Sequence, residues 1–236
     1  MMIDDDVVQK LLTINRGFYD QFASEFAESR QQPQPGFHRL GGMLPKPCRS
    51  LLDVGCGNGP LGRFLLREGF IQAYTGVDSS SELLDIAKQT VAGDFWLREL
   101  SEAGCLTDLG KYDALCCLAT LQHVPGRSNR DRLLKEFAEH LNEGSLIFLS
   151  TWQFLDSHRQ TRKIIDWSAV SLNQEDVESN DFLLTWKRGG YALRYVAYID
   201  AAEITSLADS AGLQVVSQYR SDGREGDLNL YSVLGR

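Results

Sequence analysis

With 236 residues, 43% of them hydrophobic, the chain carries enough apolar side chains for one sizeable core rather than two domains. Its 32 acidic against 24 basic residues leave a formal charge of −8, so nothing in the global electrostatics draws it to nucleic acid, and any RNA contact needs a local basic patch. Five cysteines without a C-x-x-C pair suggest neither a disulfide framework nor a metal site.

The chain opens on Met1-Met2-Ile3-Asp4-Asp5-Asp6, acidic where a secretory signal is basic, and no apolar run nears the roughly 18 residues that span a bilayer. A cytoplasmic protein without membrane contact is expected. Residues 7–30 place Val7, Val8, Leu11 and Leu12, then Phe18, Phe22 and Phe26, at helical spacing, which predicts one or two amphipathic helices. Gln31-Gln32-Pro33-Gln34-Pro35-Gly36 interrupts them, and Pro45 with Pro47 ends a second short helical stretch. Residues 1–49 thus read as an N-terminal helical lid, with the main domain at 50–236.

From Ser50 strands and helices alternate, the pattern of a parallel sheet covered on both faces. A strand at 51–54 leads to a helix at 60–68 that Gly69 can stop; a strand at 74–77 leads to a helix opened by Ser79 with Glu82 three residues on. Strands follow at 95–98 and 114–119, then a helix at 131–141 closing at Gly144, and a strand at 145–151. Residues 152–193 interrupt the alternation with a polar, Trp-containing insertion. A helix capped by Asp200 and Glu203 ends at Gly212, and strands at 213–218 and 228–234 share a Gly-rich turn at 221–226. So short a connection makes the last two strands antiparallel, because a parallel pair needs a long crossover. The expected fold is α/β and Rossmann-like, with a mostly parallel seven-stranded sheet, a terminal antiparallel hairpin and helices on both faces.

The sharpest motif is Asp53-Val54-Gly55-Cys56-Gly57-Asn58-Gly59, directly after a strand and directly before a helix, where ligands sit in open parallel sheets. Its glycines let bare main chain approach a ligand. A dinucleotide site uses a related turn but needs free N–H groups at the helix start to hold a pyrophosphate, and Pro60 offers none there. S-adenosylmethionine has no phosphate and tolerates that loss. Asp78 ends the second strand, placed to accept from both ribose hydroxyls, with Ser79 beside it. Glu99, read as ending the third strand, is the candidate for the adenine amino group, with Leu100 on the ring and Asp94 as rival. Asp53 faces the methionine end, and Ala119 to His123 should lie beside the sulfonium.

Through residues 51–59 and Asp78 the chain resembles the class I S-adenosylmethionine-dependent methyltransferases over about residues 50–150. Phe18-Tyr19-Asp20, Ser29-Arg30, Pro33-Gln34-Pro35, Thr151-Trp152, Arg194-Tyr195 and Asn229-Leu230-Tyr231 extend the likeness to the tRNA wobble-uridine 5-carboxymethyl O-methyltransferase family. The chain departs from that family at Gln122-His123, Ala197 and Leu230, where a His pair, a His and a Trp are usual. The resemblance implies a carboxylate acceptor on a modified tRNA and a small activating partner protein. It also sets Tyr19, Arg30, Trp152 and Tyr195 toward the acceptor. A carboxylate is already ionised at neutral pH, so orientation matters more than a base, and Arg194 is the leading cation for it, with Lys187 or Arg188 as further candidates. His123 is the candidate base if the acceptor is instead a hydroxyl or amine. Tyr19 and Phe22 are candidates to fold over the cofactor. Arg159, Arg162 and Lys163, spaced along one helical face near Trp167 and Trp186, are candidates for phosphate contact and base stacking, a solvated amphipathic helix being the alternative. A small-molecule O-methyltransferase and a cofactor-binding regulatory partner are the competing functions.

Overall fold

The apolar runs expected as strands between residues 50 and 151 lie side by side in one sheet in the computed structural model, which describes residues 3–28, 32–187 and 189–236. Arg30, Arg188 and the side chain of Phe26 lie outside the described part. Two helices come first, α1 (Asp5–Glu28) and α2 (Pro35–Met43); Phe22 leaves helical geometry at φ −120° and ψ 22°, so α1 is two helices joined across a kink. Then follow β1 (Ser50–Val54), α3 (Pro60–Arg67), β2 (Ala73–Asp78), α4 (Ser81–Thr90), β3 (Asp94–Leu97), β4 (Tyr112–Leu118), α5 (Arg127–Glu139) and β5 (Leu141–Trp152). The insertion holds α6 (His158–Thr161), β6 (Ile164–Ile165), β7 (Asp181–Trp186) and β8 (Ala192–Ala197), after which α7 (Ala201–Ser210), β9 (Gln214–Ser221) and β10 (Asn229–Gly235) complete the chain.

The main sheet runs β3-β2-β1-β4-β5-β10-β9. β1 to β5 pair in parallel, and β10 enters antiparallel between β5 and β9. This is the expected seven-stranded plan with its terminal hairpin. Alternation along the strands divides the core: Leu52, Val54, Leu115 and Cys117 pack toward α5 and α7, while Leu51, Ala114 and Cys116 pack toward α2 and α3. All five cysteines are buried and free. Among the described residues no helix is long and apolar enough to cross a membrane.

Three local expectations need correction. α4 is capped by Ser80, not Ser79: the Ser80 Oγ accepts from the Leu83 N–H at 3.3 Å, while Ser79 lines the cavity described below. Gly144 does not close α5. The helix ends at Glu139, with His140 Nδ1 2.8 Å from the Gly110 carbonyl, and Gly144 at φ 73° sits inside β5 where the register with β4 shifts. Within the polar insertion β6, β7 and β8 form a three-stranded antiparallel sheet. α6 spans only four residues, so Arg162 and Lys163 fall beyond its end and the expected three-cation helical face does not form.

A buried ionic contact ties the insertion to the helices: Arg130 on α5, 2% exposed, donates to Glu178, just before β7, at 2.6 Å and to Glu203 on α7 at 3.2 Å. Within the second sheet the Tyr195 hydroxyl on β8 donates to Asp181 on β7 at 2.8 Å.

Candidate active site

β1 ends at Val54 and α3 begins at Pro60, so the chain must turn within five residues. Gly55, Gly57 and Gly59 do this with left-handed φ of 76°, 54° and 71°. A Cβ on Gly55 would come 2.1 Å from Thr120 Oγ1. Its absence lets the loop after β4 close onto the turn, where the Thr120 hydroxyl donates to the Gly55 carbonyl at 3.3 Å. Gly57 N–H donates to Asp78 Oδ2 at 2.7 Å, and Ser80 N–H donates to Asp78 Oδ1 at 2.9 Å. The acid at the end of β2 is therefore pinned by the glycine turn on one oxygen and by the start of α4 on the other. Burial lifts its carboxyl above the ordinary range, against the pull of these N–H groups.

Asp53, 3% exposed, accepts from the Tyr74 hydroxyl at 2.6 Å. Desolvation pushes its pKa up to about 7 even though the Tyr74 bond favours the ionised form, and nearby Asp78 adds to the rise. Asn58 is buried and its Oδ1 has no hydrogen-bond partner. An orphaned acceptor inside a folded chain costs free energy unless a ligand or water meets it. Ala119, at φ 52°, directs its N–H to the carbonyl and hydroxyl of Ser150, both at 2.9 Å.

These groups surround one cavity at the carboxyl ends of β1, β2 and β4, and α1 roofs it. Of the residues expected from the sequence, Asp53, Gly55, Cys56, Gly57, Asn58, Asp78, Ser79, Glu99, Leu100, Ala119, His123 and Tyr19 all line it. Glu99 arrives by a different route than expected: β3 stops at Leu97, and Glu99 lies two residues on, ion-paired at 3.1 Å with Arg16 of α1. Thr120, in the stretch expected beside the sulfonium, lines it as well, and the cavity also takes Asn15, Arg16 and Asp20 from α1 and Gln34 and Phe37 around the start of α2. The N-terminal helices folded back over the sheet edge bring these five there. The Phe18-Tyr19-Asp20 and Pro33-Gln34-Pro35 runs are the sequence signals for them.

The acceptor-side expectations fare differently. Tyr195 is fully buried with its hydroxyl on Asp181, so its side chain belongs to the core. Arg194 lies on β8 and is 5% exposed, its guanidinium 4.6 Å from the Phe18 ring centre, 4.8 Å from Trp152 and 5.1 Å from Trp186. Neither Arg194 nor Trp152 is part of the cavity wall. Trp152 stands behind His123, the rings edge to face at 5.4 Å. Phe22 is buried, Trp167 packs in the core and Lys187 is exposed. Among the described residues no group of three or more His, Cys, Asp or Glu side chains is placed to hold a metal ion.

A family model described as a methyltransferase domain matches residues 19–218. The chain belongs to the methyltransferase domain family. Ubiquinone biosynthesis O-methyltransferase from Coxiella burnetii is 34% identical over 109 residues, 44% of this chain and 43% of that protein. The same-named protein of Glaesserella parasuis is 29% identical over 111 residues, 44% of this chain and 45% of its own length. The match thus spans less than half the length of these curated relatives. Among solved structures, a DhpI complex with SAH superposes with a TM-score of 0.64 at 17% identity, covering 96% of this chain and 97% of that one. The CcbJ methyltransferase from Streptomyces caelestis gives 0.63 at 17% identity over 92% and 96%. At such identity the superpositions speak for the fold.

In this methyltransferase domain the donor set fits S-adenosylmethionine. Asp78 would hold the ribose hydroxyls, with an acceptor geometry already fixed by two N–H groups. Asp53 and the orphaned Asn58 Oδ1 would meet the ammonium of the methionine end, whose positive charge would lower the Asp53 pKa. Glu99 and Leu100 would hold the adenine. Each of these lines the same cavity.

Proposed function

We propose that this methyltransferase domain transfers a methyl group from S-adenosylmethionine to an oxygen atom of a small organic acceptor. The observation that carries the reading is the convergence of the glycine turn, the doubly pinned Asp78 and the orphaned acceptor of Asn58 on a single roofed cavity. When bound, the cofactor supplies an electrophilic methyl group on a sulfonium. The protein's part is alignment and exclusion of water. Ala119 and Thr120 form one wall, held by Ser150 and Gly55, and α1 forms the roof, clamped through Arg16 to Glu99.

The lining charges favour a small acceptor over RNA. Asp20, Asp53, Asp78 and Glu99 face the cavity, and Arg16 is the sole lysine or arginine among the described lining residues. It is already ion-paired with Glu99. A phosphate backbone gains its affinity from lysine and arginine, which are scarce here. Oxygen as the acceptor atom is supported by the names of the curated relatives, ubiquinone biosynthesis O-methyltransferases.

The test is incubation of the protein with methyl-labelled S-adenosylmethionine and, in parallel, a small-molecule extract and bulk tRNA. Label in the extract alone supports the proposal. Label in tRNA restores the wobble-uridine reading. Binding without transfer to either pool points to a regulatory cofactor-binding protein.

A further inference from the structure

Among the described residues β8 pairs with β7 alone, and its outer edge is closed by side chains. The Tyr195 N–H donates to Asn15 Oδ1 on α1 at 2.8 Å, and the Tyr195 carbonyl lies 3.0 Å from His123 Nδ1. The main chain of one β8 residue thus joins the roof helix to the histidine. A carbonyl can only accept, so Nδ1 carries the hydrogen, and in the neutral ring Nε2 keeps the lone pair. Nε2 sits 3.3 Å from the Tyr19 hydroxyl, and both residues line the cavity. Trp152 and Tyr19 stand edge to face with the imidazole at 5.4 and 5.9 Å and restrain its plane. Asn15 is itself 6% exposed, a polar residue placed inside a helix interface where an apolar one would pack.

We infer that His123 is the proton acceptor of this site, held in its Nδ1–H form by the Asn15–Tyr195 bridge, and that the methyl acceptor is a hydroxyl group, alcoholic or phenolic. The acceptor class rests on the methyl-transfer reading; the state of the ring does not. In the step so defined, the hydroxyl oxygen forms a bond to the methyl carbon while the carbon–sulfur bond breaks and leaves its electron pair on sulfur. The hydroxyl proton passes to His123 Nε2 and from there to water, with Tyr19 giving up its place at Nε2 to the acceptor. A carboxylate has no proton to lose and would leave this arrangement without use. Asn15 is a positioning residue, and so is Tyr195, which acts through its main chain while its side chain is held on Asp181.

The state of the ring is read by nitrogen-15 NMR on histidine-labelled, ligand-free protein at about pH 8, where an ordinary imidazole is neutral. The His123 signals are assigned by their loss in His123→Asn. A protonated Nδ1 with a bare Nε2 is expected, and an Nε2–H ring overturns the inference. Asn15→Leu should lose that signature, while Asn15→Asp, which keeps an oxygen for the Tyr195 N–H, should retain it. Identical ring spectra in the two variants would remove Asn15 from the role, and if the Leu variant does not fold, loss of the signature in the Asp variant would do the same. His123→Asn should keep its calorimetric affinity for S-adenosylmethionine and lose about 10²–10⁴-fold in turnover; undiminished turnover overturns the inference.

Acceptor class is read on the labelled product from the small-molecule extract. A methyl ether keeps its label through mild alkali, as expected, whereas a methyl ester releases it as volatile methanol and overturns the assignment. An N-methyl product, distinguished by mass spectrometry, overturns it too. If no labelled product forms, the acceptor class falls with the methyl-transfer reading, and the spectrum still decides the ring.

Discussion

Replacing Asp53 by asparagine should stabilise the ligand-free protein, and by more at high pH than at low. The side chain has an ordinary carboxyl value of 3.8 and is pushed up to about 7 in the fold, chiefly by desolvation. Between those two values the folded chain holds a proton that the unfolded chain has released, so stability falls as pH rises through the window and levels off above about pH 7. A displacement of about three units corresponds to ~4 kcal/mol at the top of the window and to roughly 1.5 kcal/mol at about pH 5. Asparagine has no proton to lose. Whatever the carboxamide costs at the Tyr74 hydroxyl, its stability relative to wild type should therefore climb by about 2–3 kcal/mol between pH 5 and pH 8. For a chain of this size that is about 4–12 °C in relative Tm. Urea or thermal melts of both proteins at the two pH values measure it directly, and the groups common to both cancel in the difference. A difference that stays constant with pH would mean that Asp53 ionises at its ordinary value, and the account of a desolvated carboxyl beside the glycine turn would be wrong.

The other expectations come from the same cavity and its support. Binding of S-adenosylmethionine just below pH 7 should release protons, because an ammonium beside Asp53 lowers its raised pKa; calorimetry in buffers of different ionisation enthalpy reads this, and a buffer-independent heat would contradict it. Asp78→Asn should weaken cofactor binding about 10–100-fold, the value of a charge-assisted hydrogen bond; unchanged affinity in the folded variant would remove Asp78 from the ribose. Gly55→Ala should destabilise by about 2–4 kcal/mol from its left-handed φ and the Thr120 clash, and Thr120→Ala in the same chain should recover roughly half; simple additivity in urea melts would show that the two do not meet. Arg130→Met should cost about 3–5 kcal/mol by leaving Glu178 and Glu203 buried without their cation, and a neutral result would indicate that solvent reaches them.

Most of the main sheet is legible in the sequence because its strands are short apolar runs bounded by glycine, and periodicity is a local property. The antiparallel ending followed from the short 221–226 connection alone. The failures also have local causes. Ser79 and Ser80 are adjacent candidates for one cap, and the choice is made by Asp78, whose carboxylate accepts from the Ser80 N–H and so fixes where the helix begins. Gly144 looks like a helix stop because glycine serves helix ends and strand bulges alike, and only the shifted register with β4 decides between them.

The second sheet and the acceptor side were hidden for a deeper reason. β7 and β8 bury Asp181 and Arg194 among apolar neighbours, so neither shows the polar-out alternation by which a half-buried strand is recognised. Such burial is tolerable only where each polar group finds its partner: Asp181 has the Tyr195 hydroxyl, the Arg194 guanidinium lies over three aromatic rings, and Arg130 has two carboxylates. Those partners are 14 residues away for Asp181, 48 and 73 away for Arg130, and 180 away for the Asn15 that meets Tyr195. The glycine turn and Asp78 end neighbouring strands and show in the sequence as a motif. The second sheet is held by pairings across the whole chain, each satisfying one buried polar group, and no local pattern announces them.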